Sequence, residues 1–117
     1  MTFSRIRGQV LIALLCVSLV GCTSKFDKGY QALESERYGE ALPIFRELAP
    51  QRGQSSAKNN LGYMYENGFG VRRNLPEAVR WYELAVAEDS KLAVAHTNLG
   101  VMLLYGRGTS QNTSRAS

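Results

Sequence analysis

Apolar residues recur at helical spacing along most of this chain. Between residues 57 and 65 they occupy positions i, i+4, i+7 and i+8, and the same spacing returns between 95 and 103. Between residues 41 and 48 they occupy positions i, i+3, i+4 and i+7, and this spacing returns between 78 and 85. Each pattern describes one buried stripe on a surface helix. Since no useful length alternates with a period of two, we predict no strand and five helices, at about 25–35, 39–49, 55–66, 75–88 and 91–105.

Two parts of this pattern repeat at nearly the same period. Seven residues return 38 positions later, where Ala57, Asn60, Leu61, Gly62, Met64, Gly68 and Gly70 are matched by Ala95, Asn98, Leu99, Gly100, Met102, Gly106 and Gly108. A second set is matched 37 positions later, where Glu40, Ala41, Phe45 and Leu48 correspond to Glu77, Ala78, Tyr82 and Ala85. Such a period predicts a stack of similar helical units that bury their apolar faces against one another.

Three glycines, Gly29, Gly62 and Gly100, lie inside these apolar stretches. A glycine inside a helix costs about 1 kcal/mol relative to alanine. We therefore expect each of them to let a neighbouring helix approach closely, with Ala41, Ala78 and the aromatic residues beside them facing the gap.

The segment GFGVRRN, from Gly68 to Asn74, has two interpretations: a phosphate loop or a corner between helices. A dinucleotide loop needs a third glycine where Arg73 stands, and a Walker-type loop needs Gly-Lys before Ser or Thr. Gly68 suits the left-handed end of a helix, and Gly70 frees the chain to turn. We predict a corner, followed by a helix that starts at Asn74 with a capping box to Glu77.

Residues 57–85 resemble the Sel-one-like repeat of the tetratricopeptide superfamily, and residues 26–49 resemble an ordinary tetratricopeptide unit. The matching positions are Ala57, Leu61, Gly62, Tyr65, Gly68, Gly70, Val71, Ala78, Trp81, Tyr82 and Ala85. The resemblance implies an all-α fold, a short right-handed α-solenoid of antiparallel helix pairs with a concave face. It also implies a role in holding other proteins together rather than in catalysis.

By this resemblance a partner would occupy the inward face of the first helix in each pair. Carried over by position, that face consists of Tyr30, Asn59, Tyr63, Glu66, Thr97 and Val101. Its amide and carboxylate groups suit the backbone of an extended peptide, and its tyrosines offer rigid apolar area with a polar tip. The alternative is that these side chains line a hydrated groove or pack against the next unit.

The N-terminus resembles a bacterial lipoprotein signal peptide. Arg5 and Arg7 precede an apolar run of about a dozen residues, shorter than the roughly 20 that a transmembrane helix needs. The run ends in LVGC, with Cys22 at the lipobox cysteine. The resemblance implies cleavage of residues 1–21, a covalent lipid on Cys22 and, because Thr23 is not aspartate, an outer-membrane location facing the periplasm. An uncleaved anchor and an ordinary signal peptide are the alternatives.

Removal of residues 1–21 from the 117 leaves 96 and lowers the formal net charge from +4 to +2, because two arginines leave. A net charge as small as +2 gives little support for nucleic-acid binding. With Cys22 lipidated, no thiol remains for a disulfide or metal cluster. His96 is the single histidine, and no nucleophile or metal-ligand set accompanies it in the sequence. We predict no catalytic residue, no metal and no cofactor beyond the covalent lipid.

Two runs of charge are interpreted first as solvated surface. The basic run, which has a phosphate or acidic partner as its alternative role, is Arg72, Arg73 and Arg80. The acidic run, near the first corner, is Glu34, Glu36 and Glu40.

The third unit lacks a second helix, because the chain after Gly108 is TSQNTSRAS, and we predict a disordered polar tail at 109–117. The helix at 91–105 then keeps apolar residues without a following partner, namely Val94, Val101, Met102, Leu103 and Leu104. This surface forms a dimer, docks on another protein, or marks a truncated longer array.

We therefore predict a signal peptide at 1–21, a helical repeat domain at 22–108 and the tail at 109–117. The predicted function is a non-catalytic, membrane-anchored scaffold or adaptor in envelope assembly or regulation, with a protein or extended peptide in its concave groove. The alternative is a structural subunit of a homo-oligomer or envelope complex that associates through residues 91–105.

Overall fold

A computed structural model of the chain describes residues 23–106, which form five helices and no strand. The helices are α1 (Lys25–Glu34), α2 (Tyr38–Leu48), α3 (Ser55–Asn67), α4 (Leu75–Glu88) and α5 (Ala93–Leu104). Every boundary lies within two residues of the predicted one, so the all-α fold is confirmed. The predictions for the signal peptide at 1–21, for Cys22 and for the tail at 109–117 concern residues outside the described part.

The helices pack in the order that the repeat predicts. α1 packs against α2, and α3 packs against α4 in the most extensive contact within residues 23–106. α5 lies on α4 and touches α3 over a smaller area. The described chain therefore consists of two helix pairs and the first helix of a third. No helix in this part of the chain is long and apolar enough to cross a membrane.

Two of the three helical glycines stand at close contacts. A Cβ added to Gly62 would lie 2.8 Å from the Tyr82 ring and 3.1 Å from the backbone oxygen of Ala78. A Cβ added to Gly29 would lie 2.7 Å from a methyl group of Ile44 and would also meet Phe45. The same prediction is wrong for the glycine at position 100, where a Cβ would meet nothing within 4 Å. No helix of the described chain covers that side of α5.

Two apolar clusters form the core of the described residues. The larger joins the first two helix pairs through residues such as Phe45, Leu61 and Met64, none of them more than 2% exposed. The smaller joins α4 to α5 through Tyr82 and Met102, both fully buried. Met102 belongs to the apolar stripe predicted to be buried in α5, and it packs in the cluster with α4. The other four apolar residues predicted to lack a following partner are 41–68% exposed, namely Val94, Val101, Leu103 and Leu104.

The starts of α1 and α4 are fixed by side-chain caps. At α1, Ser24 and Asp27 form a complete capping box that was not predicted from the sequence. At α4, the Asn74 side chain accepts a hydrogen bond from the Glu77 amide at 3.1 Å, as predicted. The reciprocal half of the predicted box is wrong: the Asn74 amide donates to Tyr65 O at 2.9 Å, and the Glu77 carboxylate pairs with Arg80.

The glycine-rich segment after α3 is a corner, as predicted. Gly68 and Gly70 both have φ of +71°, in the left-handed region that glycine adopts without steric penalty. A Cβ added to Gly70 would also lie 2.9 Å from Cβ and O of Tyr38, so this corner rests directly on the start of α2. Gly106, 38 residues after Gly68, has φ of +65° and repeats the turn at the end of α5.

A buried lysine ties the second helix pair to the loop that precedes it. Lys58 of α3 is 7% exposed, and its ammonium group pairs with Glu88 of α4 at 2.5 Å. It also donates to the backbone oxygen of Gln51 at 2.7 Å, while the other carboxylate oxygen of Glu88 accepts from the Gly53 amide. The loop between α2 and α3 is thereby fixed to α3 and α4 at one point.

Candidate binding groove

The first helices of the three units enclose a cavity of about 460 Å³. Its lining comes from α1, the α1–α2 turn, the start of α2, α3, the α3–α4 corner and α5. The lining residues are Tyr30, Leu33, Glu34, Glu36, Tyr38, Asn59, Asn60, Tyr63, Phe69, Val94 and Asn98. We call this cavity the groove.

One wall of the groove is a cluster of aromatic rings. Tyr38 and Phe69 stack with their ring centroids 4.3 Å apart and their planes 3° from parallel. Tyr63 meets Phe69 edge to face at 5.6 Å. The corner explains the arrangement, because the glycines on both sides of Phe69 turn the chain and Gly70 lets it rest on Tyr38. The corner predicted from the glycines therefore also places the ring of Phe69 in the wall of the groove.

Amide side chains lie beside these rings. Asn59 is only 4% exposed, and its Oδ1 accepts a hydrogen bond from Nδ2 of Asn98 at 3.0 Å. This bond joins α3 to α5 across the groove. Asn60 lies next to it and is half-buried. Amides both donate and accept hydrogen bonds, so they suit a peptide backbone.

Two carboxylates, Glu34 at the end of α1 and Glu36 in the following turn, complete the lining. Glu36 has φ of +60°, in the left-handed region that non-glycine residues rarely adopt. A hydrogen bond to the Glu34 carboxylate raises the pKa of Tyr30 above its ordinary value. The pKa of Tyr38 is raised as well, first by removal of its hydroxyl from water and then by the charge of Glu36. The two carboxylates therefore place negative charge beside the tyrosine hydroxyls at this edge of the groove.

The structure divides the predicted partner-binding residues into two sets. Tyr30, Asn59 and Tyr63 line the groove, and the rest of that set, which is Glu66, Thr97 and Val101, does not. One Glu66 carboxylate oxygen accepts a hydrogen bond from the Tyr82 hydroxyl at 2.9 Å, so this side chain is directed to α4. Partner binding by these residues stays a prediction.

Sequence reasoning missed the contribution of α5 to the groove. This helix supplies Val94 and Asn98, rather than the predicted Thr97 and Val101. One signal was available, because Asn98 is the repeat equivalent of the lining residue Asn60.

Two arginines of the basic run, Arg73 and Arg80, contact residues close to them in the chain. Arg73 donates to the backbone oxygen of Glu66 at 3.0 Å. Arg80 pairs with Glu77 and lies over the Trp81 ring, 4.6 Å from its centroid. Since these cations are directed to their own neighbours, the solvated-surface interpretation fits them better than a phosphate site.

Other candidate chemistry is sparse in the described part of the chain. His96 is exposed, and its Nε2 lies 2.7 Å from the backbone oxygen of Ser90, just before α5. Within residues 23–106 no group of three or more His, Cys, Asp or Glu side chains is placed to hold a metal ion.

The fold and the groove define a helical-repeat protein built of helix pairs with a concave site. The Sel1 repeat matches residues 55–90 and 93–116, and the chain belongs to the Sel1 repeat family. Members of this family are generally non-catalytic protein-interaction scaffolds. A crystal structure of a Sel1 repeat protein from Oxalobacter formigenes is 35% identical, with a TM-score of 0.62 over 73% of this chain and 34% of that one.

Two curated relatives come from eukaryotes. Chitin synthase regulator SKT5 of Saccharomyces cerevisiae is 33% identical over 84 residues, which are 72% of this chain and 11% of that protein. The ERAD-associated E3 ubiquitin-protein ligase component HRD3B of Arabidopsis thaliana is 37% identical over 60 residues, 50% of this chain and 10% of that protein. The chain therefore spans about a tenth of the length of these relatives.

Proposed function

We propose that this protein is a non-catalytic adaptor that holds an extended segment of a partner protein in the groove. The observation that carries the proposal is the lining, which combines exposed tyrosine rings with amides from two helices. Rings supply apolar contact area at low entropic cost, and amides pair with a peptide backbone. The relatives support the same role, since one is named as a regulator of an enzyme and another as a component of a ligase.

We also propose that Cys22 carries covalent lipid and tethers the adaptor to the outer membrane, facing the periplasm, in envelope assembly or regulation. The lipoprotein-like sequence at residues 1–22 supports this. α1 begins at Lys25, three residues after the cysteine, which at full extension is about 10 Å of chain. The tether would therefore hold α1, and one wall of the groove, close to the membrane surface.

Site-specific crosslinking in intact cells tests the adaptor. A photoreactive phenylalanine analogue at Tyr63, in the groove, is compared with the same analogue at Leu84 on α4, outside it. The two side chains are equally exposed, at 39%, so they match in access to solvent. We expect one discrete product from position 63 that maps to a short segment of the partner, and none from position 84. Equal products from both positions, or none from position 63, contradict the proposal.

Mass spectrometry of the chain recovered from membranes tests the tether. We expect the N-terminus at Cys22 with added acyl mass, and we expect Cys22→Ala to leave the membrane fraction. Recovery of the intact segment 1–21, or an unmodified cysteine, contradicts it.

A second candidate function is the structural subunit that associates through α5. Two observations favour it. A Cβ added to Gly100 would meet no atom within 4 Å, so this face of α5 is uncovered in the described residues, and the side chain of Leu104 is 68% exposed. Sedimentation over a range of concentrations tests it. A dimer that Leu104→Glu abolishes supports this role, and a monomer at all concentrations excludes self-association.

A further inference from the structure

The charge of the groove is opposite to that of the chain. The sequence has a formal net charge of +4, yet the residues that line the groove include two glutamates and no lysine, arginine or histidine. Within residues 23–106, Glu34 and Glu36 form no ion pair. The adjacent cation, Arg37, pairs instead with Glu40 at 3.2 Å. Both carboxylates are exposed, the Glu34 carboxylate is hydrogen-bonded to Tyr30, and no cation of the described residues neutralises either of them.

Aromatic faces stand beside these carboxylates. Tyr30 is 43% exposed and Tyr63 is 39% exposed, and both line the same groove as the glutamates. The face of an aromatic ring carries negative partial charge and attracts a cation that lies over it. A lysine or arginine side chain has an apolar stem as well as a charged end, so the stem can pack against the rings while the charged end pairs with the carboxylates.

A buried amide supplies a donor in the same place. Asn59 is more than nine-tenths buried, and its single side-chain hydrogen bond in the described structure is the one that its Oδ1 accepts from Asn98. Its Nδ2 group therefore has no protein acceptor within residues 23–106, although it belongs to the lining of the groove. Within residues 23–106 the buried side-chain donor without a partner is Trp81 Nε1, so Nδ2 of Asn59 is accessible to solvent. A backbone carbonyl of a bound peptide would be an acceptor for it.

We propose that the groove selects an extended peptide segment that carries a lysine or arginine. The cationic group lies beside Glu34 and Glu36 against the tyrosine rings, and Asn59 donates to the peptide backbone. This inference rests on the proposed function and narrows the partner to one chemical class. A segment rich in Asp or Glu is excluded because like charges would face each other without compensation.

The test starts with selection of random nonapeptides displayed on phage against the full-length chain in an uncharged detergent. We expect selected peptides to share lysine or arginine at one position. A synthetic peptide of the selected sequence is then compared with a copy in which that residue is acetyl-lysine, which keeps the stem and loses the charge. We expect the acetylated copy to bind about tenfold more weakly, because it loses both the exposed ion pairs and one cation–π contact.

Matched variants locate the effect. Glu34→Gln combined with Glu36→Gln should weaken binding of the lysine peptide about threefold to fivefold, because the ion pairs are lost and the cation–π contact remains, and should leave the acetyl-lysine peptide unchanged. Glu83→Gln, on the exposed surface of α4 outside the groove, removes a charge elsewhere and should change neither affinity.

Three outcomes overturn the inference. Selected peptides without a basic residue, or affinities that the double variant does not change, exclude the charge preference while the groove remains a peptide site. If no peptide is enriched over a Tyr63→Ala control, the peptide-binding function itself fails together with the preference.

Discussion

Alanine substitution at Gly62 and at Gly100 separates close packing from helix propensity. The two glycines are repeat equivalents, 38 residues apart, and both lie inside helices. Alanine gains about 1 kcal/mol over glycine in a helix interior. At position 62 the new Cβ would lie 2.8 and 2.9 Å from two carbons of the Tyr82 ring. That ring is fully buried and its hydroxyl is bonded to Glu66, so it has no room to turn away.

These contacts set the size and sign of the two effects. Overpacking of a well-packed core costs about 1–3 kcal/mol, so Gly62→Ala should lose up to about 2 kcal/mol after the gain in propensity. Gly100→Ala meets no atom within 4 Å and should gain up to about 1 kcal/mol. For a domain of this size each kcal/mol moves Tm by roughly 4–8 °C.

Urea unfolding of the purified chain, followed by far-ultraviolet circular dichroism, measures both variants. We expect Gly62→Ala to lower the midpoint and Gly100→Ala to raise it, with unchanged slopes. Gly29→Ala should lower the midpoint less than Gly62→Ala does, because the nearest contact of the new Cβ is a methyl group of half-buried Ile44. If Gly62→Ala is as stable as Gly100→Ala, the close approach of α3 and α4 is not what selects glycine.

Three further predictions concern the corner and the ion pair. Asn74→Ala should lower stability by about 1 kcal/mol in thermal unfolding, because the first turn of α4 loses its cap, and Asn74→Ser should restore most of it. Gly70→Ala would place an alanine at φ of +71° with its Cβ 2.9 Å from Tyr38. It should therefore lower the free energy of unfolding by more than about 1 kcal/mol in the same assay. An unchanged stability would contradict the packing of the corner on α2. The pKa of Glu88 is lowered below its ordinary 4.5, first by its hydrogen bond to Lys58, so this stabilisation is present above pH 4.5 and is lost as the pH falls through the lower folded value. Urea midpoints of Glu88→Gln should therefore fall less steeply than those of wild type below pH 4.5, and parallel curves would contradict the assignment.

The helices could be predicted because each apolar stripe is local to one helix. Ala57, Leu61 and Met64 are all buried in α3, where the spacing places them on one face. The pairing of Gly62 with Tyr82 was also accessible, since both belong to one repeat unit. A period of 38 residues repeats this local information but contains nothing about which units have neighbours. The absence of a neighbouring helix beside Gly100 was therefore not predicted.

The groove was predicted less well, for a geometric reason. The faces that α3 and α5 turn to the groove are equivalent only in part. α3 contributes Asn59, Asn60 and Tyr63, whereas α5 contributes Val94 and Asn98, and of these only Asn60 and Asn98 are repeat equivalents. Transfer of Asn59 and Tyr63 by the repeat period gives Thr97 and Val101, which do not line the groove.

Two acidic side chains show what a single sequence leaves open. Glu66 occupies a position on the expected face, but the Tyr82 hydroxyl directs its carboxylate to α4. Glu36 belongs to a run interpreted as solvated surface, yet its left-handed backbone and the turn after α1 bring it to the rim of the groove. Glutamate is rare at positive φ, so propensity does not predict this turn.

The hydrogen bond between Asn98 and Asn59 has a consequence for how binding is detected. α5 contributes only Ala95 and Met102 as buried residues, and its contacts with α4 and α3 are less extensive than the contact of α1 with α2, so we expect it to open at low free energy. A ligand that touches α3 and α5 together stabilises the closed form, by about 2.7 kcal/mol at a hundredfold excess over Kd. Amide hydrogens of the last helix should then exchange about a hundredfold more slowly whenever the groove is filled, a signal that needs no knowledge of the ligand sequence.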